Sequence, residues 1–108
     1  MTPQTLAIYA AAAVAEIAGC FAFWAVVRSG KPVWWIIPGI AALTLFAWLL
    51  TLSPADAAGR AYAAYGGIYI AASLGWLMLV DQVAPTRWDV IGVGLALAGC
   101  IVILAQPR

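Results

Sequence analysis

Histidine is absent from this sequence, and only four acidic and five basic residues occur in its 108 positions. Without histidine the chain lacks the commonest metal ligand and the usual proton shuttle near neutral pH. Charged residues make up 8% of the chain. A soluble domain carries about 25%, so this chain could not cover its own surface in water. A net charge of +1 supplies no basic stripe, and no nucleic-acid partner is expected. Cysteine is scarce too: Cys20 and Cys100 each fall inside an apolar run, with no CxxC spacing. They read as small reduced core residues rather than a disulfide or redox pair. No nucleophile–base pair, metal set or phosphate loop stands out, so neither an enzyme, a cofactor nor a metal site is expected.

What is abundant is hydrophobic residues, at 67% of the chain. They form four apolar segments, about 6–27, 33–52, 61–80 and 90–105. The breaks between them carry turn and charge signals: Arg28 to Pro32, Ser53 to Arg60, and Asp81 to Asp89. The runs are continuous rather than alternating, which predicts helices and not strands. Each is close to the roughly 20 residues that cross a 30 Å hydrocarbon core. The expected fold is all-α: a single domain, 1–108, of four transmembrane helices in the lipid bilayer. The first segment is too long for a cleavable signal peptide and lacks a basic leader. The fourth is short, which predicts that it packs against protein rather than facing lipid on all sides.

Orientation is weakly specified. Arg28, Lys31 and Arg87 share one side, and Arg60 and Arg108 the other. Three against two slightly favours loops 1 and 3 in the cytoplasm and both termini outside, and permits insertion in both senses. Trp24, Trp34, Trp35 and Trp88 sit at segment ends, where amphipathic rings form interfacial belts. Asp56, Asp81 and Asp89 fall in loops, as solvated or capping residues; Asp89 could cap the fourth helix, and Arg60 could pair with Asp56.

Glu16 is the only charged residue inside an apolar segment, about ten residues from either end. Such a group costs roughly 2.5–3.5 kcal/mol on insertion scales and usually marks function. Three- and four-residue steps from it reach Tyr9, Ala12, Ala13, Gly19, Cys20 and Phe23. The nearest neighbours are small, so a helix or a ligand can approach the carboxylate. Ordinary helix packing explains the small residues but not the Glu. On the third segment Tyr62, Tyr65, Gly66, Tyr69, Ser73 and Trp76 form one face. Its hydroxyls need partners, and its rings can hold a cation; a packed aromatic seam is the plainer alternative. Gly66 and Gly67 permit either a hinge or very close helix contact, and Pro38-Gly39 does the same in the second segment. Gly92, Ala96 and Gly99 make a small-residue stripe on the fourth segment, read as a helix-packing and dimerisation surface.

With these residues in view, the sequence resembles the small multidrug resistance (SMR) superfamily of four-helix transporters. Ala15-Glu16-x-x-Gly19, the third-segment aromatic–glycine cluster and the Gly92/Gly99 pair carry the likeness. It is closest to the YnfA-like branch of small bacterial inner-membrane proteins, through Glu16-Ile17-x-Gly19-Cys20, Trp48 to Leu52, Gly59 to Tyr69, and Trp76. The resemblance implies an antiparallel homodimer in which protons and small cationic or aromatic substrates compete for the two Glu16 carboxylates. It places Ala12 and Gly19 on the lining beside Glu16, and Tyr62 and Tyr65 at the family's aromatic positions. Tyr65 stands where characterised exporters usually carry Trp, and Tyr69 replaces a small residue, which makes the wall more polar. Proton-coupled efflux is the implied activity. The alternatives are a narrow exporter of a small polar cation such as guanidinium, or a non-transporting membrane partner with Glu16 bonded statically to Tyr62 or Tyr65.

Overall fold

The computed structural model describes residues 3–54 and 57–107, so Asp56 and Arg108 lie outside the described residues. The four apolar segments form α1 (Pro3–Ser29), α2 (Ile36–Leu50), α3 (Ala58–Leu79) and α4 (Arg87–Ala105), with a 3₁₀ turn at Val33–Trp35 leading into α2. All four spans are long and apolar enough to cross a membrane. At 1.5 Å per residue, α1 alone is about 40 Å long.

The ends have local causes. Gly30 takes φ 73° after α1, a left-handed conformation open to glycine without strain, and the Lys31 N–H then bonds the Ala25 carbonyl at 3.0 Å. Pro38 falls in the first turn of α2, where a backbone N–H has no intrahelical partner to lose, so it starts the helix rather than kinking it. At α4 the Thr86 hydroxyl accepts from the Asp89 N–H at 3.2 Å, and the Asp89 carboxylate accepts from the Thr86 N–H at 2.9 Å. This capping box begins α4 three residues earlier than the apolar run suggests.

The helices pack as two pairs, α1 on α2 and α3 on α4, joined by the contact of α1 with α3. The molecule is 20 Å thin in one direction, about two helix diameters. Every helix therefore keeps an outer face. As expected, the fourth helix packs against protein, on α3, but the contact is narrow: only Cys100 of α4 is buried, and Val90, Ile91, Leu95, Ile101 and Val102 are exposed. Apolar residues all round suit a helix that meets lipid on every side but one.

Close approach between helices is made by two glycine contacts. A Cβ on Gly19 of α1 would lie 2.8 Å from the Gly39 carbonyl oxygen of α2. One on Gly67 of α3 would lie 2.5 Å from the Cys100 Cβ of α4. The Cys100 thiol donates to the Ala64 carbonyl at 2.8 Å across the same contact. Small residues let backbones meet where lipid offers no hydrophobic drive for helix association.

Candidate functional site

The core cluster of Tyr9, Ala12, Ala13, Leu50, Ala64, Tyr65 and Cys100 draws on all four helices. Tyr9 is completely enclosed, and its hydroxyl pairs with the Ser53 hydroxyl at 2.8 Å beyond the end of α2. Its ring meets the edge of Tyr65 at 5.9 Å between centroids. Phe46 and Tyr69 also contact Tyr65, at 5.6 and 6.0 Å. Tyr65 is thus held by three rings. Its hydroxyl donates to Glu16 Oε1 at 2.8 Å.

Glu16 itself is half-buried. It opens onto a cavity of about 430 Å³ lined by Phe46, Ala47 and Leu50 of α2 and by Tyr62, Tyr65, Gly66 and Tyr69 of α3. Four aromatic rings and one carboxylate make this a wall that can stack on a ligand and neutralise a positive charge. The carboxylate can equally take up a proton. Away from water, a hydrogen bond from Tyr65 to the charged oxygen is stronger than the same bond in water.

The sequence-predicted residues separate into groups. Glu16, Tyr62, Tyr65 and Tyr69 come together on this cavity, with Tyr62 the most exposed of them. Ala12 is fully buried in the core beside Tyr9 and does not line the cavity. Gly19 does not line it either: it faces Leu43 and Gly39, because α2 needs a residue without a side chain there. Trp76 belongs to a different cavity, further along α3. Gly66 borders the Glu16 cavity, whereas Gly67 takes the close-contact role against α4, within one unbroken helix. Ala96 lies against Gly67 within the chain, while Gly92 and Gly99 face open space.

The wall from α2 has no counterpart in the sequence reading. Phe46 and Leu50 lie four residues apart on one face, which is the signal that could have found them. Tyr9, read only as a neighbour of Glu16, is the residue that backs Tyr65. Among the described residues there is no group of three or more His, Cys, Asp or Glu side chains placed to hold a metal ion.

At one end of the molecule, three tryptophans pair with cations. Arg28 lies 4.7 Å above the Trp24 ring, Lys31 5.7 Å above Trp35, and Arg87 4.8 Å above Trp88. All three pairs sit at the end carrying the α1–α2 and α3–α4 connections, where amphipathic rings suit an interface.

Four membrane-length helices around one half-buried carboxylate define a small all-helical integral membrane protein. Residues 3–108 match the family described as "Uncharacterised BCR, YnfA/UPF0060 family", and the chain belongs to it. A UPF0060 membrane protein of Rhizobium etli is 62% identical over 105 residues, covering 97% of this chain and 99% of that relative. No solved structure matches the chain.

Proposed function

We propose that the protein is a proton-coupled exporter of cationic aromatic compounds in the bacterial inner membrane. It acts as a transporter and not as an enzyme, in the manner of the SMR superfamily it resembles. The observation that carries this reading is the bond from Tyr65 to Glu16 at the wall of an aromatic cavity inside the membrane. A carboxylate so placed exchanges a proton for a cation, and Tyr65 supplies the hydrogen bond that the charged form needs when neither is bound. The cavity volume is within the range of small-molecule sites. Its walls set four aromatic rings beside a single carboxylate, which favours a flat aromatic cation over guanidinium. The nearly balanced loop charges fit two copies inserted in opposite senses, so that an antiparallel homodimer supplies the inverted repeat that larger transporters encode in one chain.

Two observations favour a second reading. The same Tyr65 bond is what a static role for Glu16 requires, and most of α4 is exposed. On that reading the chain is a non-transporting partner of another membrane protein.

Proton release from purified protein on adding a panel of cations separates the two. The wild type is expected to release protons with one cation class, and Glu16→Gln, which retains the fold, is expected to release none. No release from folded wild type would sink the transport reading and leave the partner reading.

A further inference from the structure

A second cavity, of about 390 Å³, follows the first along the contact of α1 with α3, towards the end where α3 leads to α4. Phe21 and Trp24 of α1 and Ser73 and Trp76 of α3 line it, with Asp81 beyond the end of α3. Tyr69 lines both cavities and stands between Glu16 and the second one.

Three features point to one ligand chemistry. Phe21 and Trp76 lie 5.3 Å apart at 58°, forming an aromatic corner whose ring faces attract positive charge. Asp81 is the one charged residue on the lining, so the formal charge there is negative. Trp24 already attracts a planar cation, since the Arg28 guanidinium rests 4.7 Å from its ring centroid, although Arg28 itself is not part of the lining. The volume falls within the range of small-molecule sites. We propose that this cavity is a second binding site, for a planar aromatic cation, separated from Glu16 by Tyr69. A ligand held there occupies a station between the Asp81 end of the molecule and the Glu16 cavity. The choice of ligand class rests on residues of the second cavity, and only its place on a transport route rests on the function proposed above.

The chain carries its own reporter. Cys20 is exposed and lines the second cavity, whereas Cys100 is buried against α3. Alkylation of Cys20 by N-ethylmaleimide, followed by mass spectrometry of purified protein at fixed pH, is measured with and without ethidium. Because Glu16 lies one turn from Cys20, the decisive measurement is made in Glu16→Gln. Ethidium is expected to slow Cys20 labelling several-fold in that variant. Adding Asp81→Asn should weaken the protection, and adding Ser73→Trp, which fills the cavity, should remove its dependence on ethidium. Circular dichroism and gel filtration establish that each variant is folded. Absence of protection in folded Glu16→Gln overturns the second site, whether lipid or a partner helix covers the cavity instead. Protection indifferent to both added substitutions overturns it as well. Wild-type proton release without protection in Glu16→Gln would leave the proposed exporter standing and remove only the second site. Protection in Glu16→Gln without wild-type proton release would do the reverse.

Discussion

The Tyr65 hydroxyl donates to Glu16 Oε1 at 2.8 Å, joining the polar centre of α3 to the only charge inside the apolar run of α1. Tyr65→Phe removes that donor and keeps the ring between Tyr9, Phe46 and Tyr69. A hydrogen bond to a charged group is worth about 1.5–3 kcal/mol, roughly tenfold or more in an equilibrium. The variant should remain folded and need a higher cation concentration for the same proton release, because the charged carboxylate that holds the cation has lost a donor. An unchanged cation dependence would mean that Tyr65 does not support the charged form of Glu16.

Gly67 and its neighbour Gly66 should respond oppositely to an added methyl group. At Gly67 the new Cβ meets Cys100 Cβ at 2.5 Å and the Ala96 carbonyl oxygen at 3.0 Å, while at Gly66 it meets nothing within 4 Å. Gly67→Ala should lower stability by about 1–3 kcal/mol, the usual cost of overpacking. Gly66→Ala should be neutral or mildly stabilising, because alanine is the better helix former. Thermal unfolding in detergent compares the two.

Gly92 and Gly99 have open space around them in the single chain. If they form the surface on which a second copy packs, Gly99→Leu should leave helical content intact and shift the protein from dimer to monomer. Cross-linking in membranes, together with gel filtration, reads the change. A dimer insensitive to leucine at both positions would place its interface elsewhere.

Tyr9→Phe should cost stability without touching Glu16. It deletes the hydrogen bond to Ser53 while retaining the enclosed ring. A loss of about 0.5–1.5 kcal/mol in detergent unfolding is expected, with cation-induced proton release unchanged.

Much of this structure was legible from residues alone. The four spans follow from runs of apolar residues long enough to cross a membrane, and their ends shift by up to three residues, at α4 because Thr86 and Asp89 cap the helix earlier than the apolar run begins. Glu16 announced itself by cost, since nothing but function or a specific partner keeps a carboxylate at that depth. The tyrosine face of α3 followed from its three- and four-residue spacing. Periodicity assigns a residue to a face of its own helix and stops there. Gly19 was therefore compatible with lining the carboxylate and with admitting a neighbouring helix, and Trp76 shared a face with Tyr65 while lying too far along α3 to share its cavity.

Composition, run length and the position of one charge determined that the described residues form four helices long and apolar enough to cross a membrane, and where their polar centre lies. Which side chains meet there was decided by how the helices are rotated and offset against one another. That choice placed Tyr65 on Glu16, brought Phe46 and Leu50 from α2 into the wall, and turned Gly19 to Gly39. It depends on the summed fit of many small contacts between helices, and no single stretch of sequence contains both sides of any of them.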